Sequence, residues 1–364
     1  MQTLLLTLPS GDKVYRYQKS IVIFFNNGAR KVLSTSTFNG GYREDLSAVF
    51  NHDGTVGVGI GYKMLADNYY DHMRLVAERI GLDPDTTTGM GTAAQMDNVA
   101  YCTLSYKELS VTAIVTAGVD INGGRVGDPA DYYEPLENIK KHGTINIFLA
   151  INADMPEGSI NRALVTCTEA KSAALQELMA GSNYSTGLAT GSGTDQTIII
   201  ANPAAAIYQE SAGKHSKLGE LIGKTVILAV KDALYKQTGL CAQSQHSVLA
   251  RCKRFGVNID SLWGEYLSLA EQPLIKPEFL SIYNTIDNDD TIVTYASLYI
   301  HLLDQLSWGL LSEAQIRPIA QQILNTLAAN CQITAPIIRE NADSEEYINK
   351  LCSILVAIAI SKQG

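Results

Sequence analysis

Gly187-Leu188-Ala189-Thr190-Gly191-Ser192-Gly193 runs directly into Thr194-Asp195-Gln196-Thr197-Ile198-Ile199-Ile200, and the same chemistry resumes at Gly213-Lys214-His215-Ser216-Lys217-Leu218-Gly219-Glu220. The β-branched run predicts a strand. Ser216 ahead of Leu218, Leu221, Ile222, Ala229 and Ala233 predicts a helix to about residue 237, stopped by Thr238-Gly239. The glycines at 187, 191 and 193 let the backbone approach a ligand closely, and the helix start leaves N–H donors without intrahelical partners. Loop, strand, loop and helix start therefore bring His, Asp, Glu, Ser and Thr into one neighbourhood.

Upstream of this stretch the chain is strand-rich. Residues 3–8 and 14–25 read as strands joined by a Pro9-Ser10-Gly11-Asp12 turn, and 31–35 as a third. Asn39-Gly40-Gly41 reads either as an ordinary turn or as backbone facing a ligand. Leu65, Tyr69, His72, Met73, Val76 and Ile80 give residues 64–80 a helical stripe ended by Gly81, with His72 packed on or beside it. Runs 96–104 and 109–118 suit a hairpin, and Val111 to Ala117 is apolar on both faces, as in a strand covered on both sides. The loop that follows holds Asn122, Arg125 and Asp128; the last two either meet a polar substrate or pair with each other. In the next strand Ile145, Ile147, Leu149 and Ile151 share one face, which leaves Thr144, Asn146 and Phe148 on the other. The helix predicted over 156–180 carries Lys171 within an apolar seam, where it snorkels, pairs with a carboxylate, or acts with Glu169 in an active site.

After Leu240 the strand alternation ceases and residues 261–270, 292–308, 312–329 and 344–362 read as helices. The expected architecture is α+β: a mixed or largely antiparallel sheet flanked by long helices, residues 1–238, with an added helical C-terminal region, 239–364. The 364 residues exceed the roughly 250–300 at which single cores stop growing. No apolar run approaches the roughly 20 residues that span a bilayer. Thr3-Leu4-Leu5-Leu6-Thr7-Leu8 lacks preceding basic residues and stops at Pro9, so it reads as a strand rather than a signal peptide, and a cytoplasmic location is expected. A net charge of −9 argues against nucleic-acid partners. The six cysteines, with no C-x-x-C spacing, read as free thiols.

The sequence contains no H-E-x-x-H, G-x-S-x-G, Walker loop or dinucleotide fingerprint. What remains suits amide hydrolysis without metal or cofactor, which needs a nucleophile or activated water, a proton for the leaving amine and donors for an oxyanion. His215 is the natural proton carrier, with Asp195 or Glu220 to orient it. The N–H groups of 191–194 and the Asn146 amide are candidate oxyanion donors, and Ser192, Thr194 or a water the candidate attacking group.

Several of these motifs, in this order, resemble the adenosylcobinamide amidohydrolases of corrinoid salvage. The resemblance rests on Ser34 through Asn39-Gly40-Gly41, Thr116-Ala117-Gly118 with Asn122, Arg125-Val126-Gly127-Asp128, and His142-Gly143-Thr144-Ile145-Asn146. It continues through Thr168-Glu169-Ala170-Lys171, Gly191 to Gln196 and Gly213 to Gly223. It implies hydrolysis of the amide joining the aminopropanol arm to the corrin ring, with the corrinoid as substrate and no cofactor; a corrinoid carrier without turnover is the alternative. His215, Asp195, Glu169 and Lys171 are the candidate catalytic groups. Asn39, Gly40, Gly41, Asn122, Arg125, Asp128, His142, Thr144, Asn146, Gly191, Ser192, Gly193, Thr194 and Glu220 are the candidate substrate contacts. The resemblance covers about residues 20–238 and assigns no role to the tail, for which a wall of the cleft, self-association or a partner protein all stay open.

Overall fold

In a computed structural model of the protein, which describes residues 2–26, 28–57, 60–130 and 143–363, the Pro9-to-Asp12 turn forms as expected. Gly11 donates to the Leu8 carbonyl at 2.8 Å with φ +86°, a conformation that suits glycine. It joins β1 (Thr3–Thr7) to β2 (Lys13–Tyr17). The single strand expected over 14–25 is broken: Gln18 and Lys19 take φ values of 49° and 62° and reverse the chain into β3 (Ser20–Phe24). Neither residue is the Asn or Gly that usually announces such a two-residue turn, so no local signal marks it.

The chain continues through β4 (Lys31–Ser34), β5 (Gly41–Arg43), β6 (Ala48–Asp53), the small β7/β8 hairpin (Thr55–Gly57, Ile60–Tyr62), α1 (Tyr69–Arg79) and β9 (Thr87–Thr92). Next come β10 (Ala100–Tyr106), β11 (Leu109–Ala117), β12 (Gly123–Gly124), β13 (Ile145–Ile151), α2 (Glu157–Glu177), β14 (Gly191–Ser192), β15 (Gln196–Ala201) and α3 (Lys217–Thr238). Two mixed sheets result, ordered β1-β2-β3-β6-β9 and β10-β11-β13-β15-β4-β5, each antiparallel except at β6–β9 and β13–β15.

Side-chain alternation stacks them. Val115, Ile147, Leu149 and Ile199 pack with Ile160, Leu175, Leu218 and Val226 of α2 and α3. From the opposite face of the same strands, Ile114, Phe148, Ile198 and Ile200 meet Val14, Ile21, Ile23 and Val49 of the other sheet. That sheet turns Val22 and Phe50 toward Met73 and Val76 of α1. The order is helix, sheet, sheet, helix pair, and it explains why all of β11 and β13 is buried. Each such aliphatic side chain contributes about 1.5–3 kcal/mol relative to exposure.

Local signals account for the ends of these elements. Ser216 accepts from Gly219 N at 3.0 Å and caps α3, and Gly239 closes it in the left-handed region. Asn68 caps α1 by accepting from Asp71 N, so that helix begins later than the expected residue 64. Arg30 and Asp12, both buried, form a two-pronged pair at 2.8 and 3.0 Å under the first turn.

Two compact units are present, Met1–Tyr184 with Leu188–Cys241, and Ser185–Gly187 with Ala242–Gly364. The second is helical: α4 (Val248–Cys252), α5 (Ile259–Leu269), α6 (Lys276–Asp287), α7 (Asp290–Ser307), α8 (Glu313–Asn330) and α9 (Ser344–Ser361). Its core holds Tyr266, Phe279, Tyr283, Tyr299 and Tyr347, and the Tyr299 hydroxyl donates to the Tyr347 carbonyl at 2.9 Å. A buried Arg254–Asp304 pair, 2.6 and 2.7 Å, lies in this unit. All six cysteines are free thiols. Among the described residues no helix is long and apolar enough to cross a membrane.

Candidate functional site

β13 and β15 run parallel, so the segments entering them lie side by side at one end of their sheet. Into that end come the glycine loop before β15, Gly143-Thr144 before β13, and the Asn122 loop after β11. The two-residue ladder β12/β14 sets Gly123 opposite Ser192 and Gly124 opposite Gly191. Lys171 of α2 closes the group from the helix side.

Asp195 is its hub. One carboxylate oxygen accepts from Ile145 N at 2.8 Å and from the Ser192 hydroxyl at 2.6 Å; the other accepts from Ser192 N at 3.0 Å and contacts Lys171 Nζ. Lys171 and Asp195 are each 12% exposed, so the pair is largely withdrawn from water. Around it, the Thr144 and Thr194 hydroxyls lie 2.8 Å apart, Thr194 also donates to the Gly143 carbonyl at 3.0 Å, and Thr194 N reaches Ser192 Oγ at 3.3 Å. Asn122 donates to the Gly143 carbonyl and accepts from the Tyr184 hydroxyl at 2.8 Å. Asp128 accepts from Arg125 N at 2.8 Å and from the Ser182 hydroxyl at 2.6 Å, and Val126 N donates to Thr190 Oγ1. Asp128 thus takes the backbone of Arg125. Ser192 keeps partial exposure, and Gly193 and Thr194 are exposed at the crown of the loop.

One rung further in, Asn146 links the two sheets. Both its amide hydrogens are engaged, by Asn51 Oδ1 at 2.8 Å and the Gly91 carbonyl at 3.0 Å, while its Oδ1 is buried without a partner among the described residues. Its position therefore presents a carbonyl rather than the N–H expected of an oxyanion donor. Asn51 continues to Thr116 at 2.8 Å, and the Tyr69 hydroxyl accepts from Gly91 N at 2.8 Å and meets Gln196 Oε1 at 3.1 Å. Burial raises the Tyr69 pKa, which keeps that hydroxyl protonated.

Other candidates lie elsewhere. Asn39 donates to the carbonyls of Pro84 and Thr87 and accepts from Tyr70 at 3.1 Å; a β-carbon on Gly40 would overlap the Ser36 carbonyl oxygen, and Gly41 has φ +83°. Asn39 and Gly40 thus belong to a tightly packed turn, from which Gly41 leads out into open space. Glu169 pairs with Lys214 at 3.2 Å, not with Lys171. His215 is exposed and makes no hydrogen bond to Asp195 or Glu220: Asp195 is engaged by Lys171, and Glu220 by Lys217 and Lys224, which hold its carboxyl at about 2. His142 lies outside the described residues. Among those described, no group of three or more His, Cys, Asp or Glu is arranged to hold a metal ion. Tyr184, Ser182 and Thr190 join the cluster from an irregular loop, and Asn51 and Tyr69 support Asn146 from other elements; of these only Tyr69 is marked by periodicity, and that as a residue of the α1 stripe.

Compared with known proteins, residues 5–242 match the family described as adenosylcobinamide amidohydrolase. An uncharacterized protein of Methanocaldococcus jannaschii is 35% identical over 242 residues, which cover 62% of this chain and 89% of that relative. The match takes in both sheets, the three helices around them and the whole Lys171–Asp195 cluster, and the chain belongs to the adenosylcobinamide amidohydrolase family.

Proposed function

We propose that the protein hydrolyses the amide joining the aminopropanol arm to the corrin ring of adenosylcobinamide, releasing adenosylcobyric acid and aminopropanol for coenzyme B12 salvage. The observation that carries this reading is the family match over residues 5–242, which includes every residue of the Asp195 cluster. The corrinoid is substrate, no cofactor takes part, and the reaction proceeds in the cytoplasm.

Ser192, on an exposed glycine loop 2.6 Å from Asp195, is the attacking group. As its oxygen bonds to the amide carbon, its proton passes to Asp195 and from there to the aminopropanol nitrogen as the C–N bond breaks. Water then cleaves the seryl ester, returning the proton to Ser192 and leaving the acid. Lys171, paired with the Asp195 carboxylate, holds it in place between the steps. The rate therefore depends on the fixed approach of Ser192 and on donors at the loop crown that meet the developing oxyanion.

Mass spectrometry of purified protein with adenosylcobinamide tests this. Wild type is expected to form adenosylcobyric acid, with Ser192→Ala and Asp195→Asn slower by about 10²-fold or more. His215→Ala and Glu169→Gln are expected to stay within about tenfold. Folded wild type that yields no product overturns the reading, and corrinoid retained without turnover replaces it with a carrier. Full activity in Ser192→Ala transfers the attack to water.

A further inference from the structure

We propose that the recess between the β2–β3 turn, the end of β6 and helix α1 is a binding site for a small oxyanion, a phosphate ester or a carboxylate, distinct from the Asp195 cluster. The recess has a volume of about 300 Å³, at the lower end of small-molecule sites. Lys19, His52, Asp53, Lys63, His72 and Arg79 line it, and none of the residues around Asp195 does.

Its charge is opposite to that of the chain. Three cations face one carboxylate, and Asp53 is already 3.4 Å from Lys19, so a positive recess stands in a protein of net charge −9. Neither imidazole adds charge at neutral pH, since burial lowers the pKa of both. His72 Nδ1 accepts from Leu65 N at 3.0 Å, which puts the proton of the neutral ring on Nε2. His52 Nδ1 lies 2.8 Å from the hydroxyl of the buried Ser20. Burial lowers the His52 pKa to about 4; Asp53 opposes this, and His72, Lys19 and Arg79 add to it. An incoming oxyanion meets the Lys19, Lys63 and Arg79 cations, the pairing that gives strong charge-assisted hydrogen bonds, with both imidazole rings beside it.

The backbone makes the second argument. Lys19 occupies a left-handed position, φ 62°, in a two-residue hairpin turn where glycine or asparagine costs least. The strained position carries a lysine whose ammonium contacts the Thr55 carbonyl beside Asp53, at the rim of the recess.

The test uses the full chain, inorganic phosphate and acetate, with isothermal titration at pH 7 and imidazole NMR. Saturable binding of one anion per chain is expected, with shifts at His52 and His72, and weakened at least tenfold in both Lys19→Gly and Arg79→Gln. Lys19→Gly should not lower Tm, because glycine relieves the turn. Tighter phosphate than acetate assigns a phosphate ester, and the reverse a carboxylate. No saturable binding of either anion, binding without imidazole shifts, or affinity unchanged in both variants overturns the proposal.

Discussion

Lys171 and Asp195 meet where the backbone of Gly191 passes so close that a β-carbon there would lie 2.7 Å from the lysine ammonium and overlap the carboxylate. The glycine loop is therefore pinned by an ion pair, and the glycine is required by that pair. Asp195→Ala strands the lysine and three hydrogen-bond donors at once, and should destabilise the sheet unit by about 3 kcal/mol. Lys171→Met leaves Asp195 its three donors and should cost roughly half as much. Hydrogen exchange at β13 and β15 amides measures both; tryptophan fluorescence does not, since Trp263 and Trp308 belong to the other unit.

Gly40 and Gly41 separate two uses of glycine. Gly41→Ala meets open space and suffers only its positive φ, a cost of about 1–2 kcal/mol. Gly40→Ala drives a methyl into the Ser36 carbonyl and should lower thermal stability at least twice as much. Equal effects in calorimetry would deny the close approach.

His52 makes the sheet unit sensitive to acid. Its folded pKa of about 4 lies below the ordinary value of about 6.5, so the unfolded chain binds more protons between the two. The stabilisation is complete above the unfolded pKa and is lost as pH falls through that window, up to about 3 kcal/mol. Exchange protection measured at pH 7.5 and 4.5 should show that loss in wild type and a smaller one in His52→Gln.

Arg254 and Asp304 offer a contrast within the helical unit. Asp304→Ala leaves a buried guanidinium and should cost about 3–5 kcal/mol, whereas Arg254→Met with Asp304→Leu together should recover most of it. Tryptophan fluorescence during urea unfolding reports this unit directly.

The parts of this fold legible in the sequence are those with short-range causes. Ser216 and Gly239 mark α3 because capping depends on a few neighbouring residues, and the alternation in 145–151 correctly divided the helix-facing isoleucines from Asn146 and Phe148. In the other sheet β1 to β3 fall within the strands read over 3–8 and 14–25, but β6 and β9 carry no such signal. β9 reads Thr-Thr-Gly-Met-Gly-Thr, which has loop composition; Gly89 is there because the Phe50 ring of the neighbouring strand occupies the place of its β-carbon. The cluster is half legible: the loop residues are visible, but neither Asp195 nor Glu220, the carboxylates offered for orienting His215, meets it, since pairing across a helix and a loop leaves no local trace. Lys171 interrupting an apolar seam was the one usable sign.

β4 lies between β5 and β15, and so borders a strand about 165 positions later in the chain. On a ribosome adding about 5–20 residues per second, its inner edge waits roughly 10–30 s for that neighbour. During that interval Val32 and Leu33 sit on an open strand edge, with Lys31 as the charge that discourages pairing with other nascent chains. Replacing Lys31 by an apolar residue would then lower the yield of folded protein from synthesis as well as removing, in the finished molecule, its bonds to Asp154 and the Met155 carbonyl.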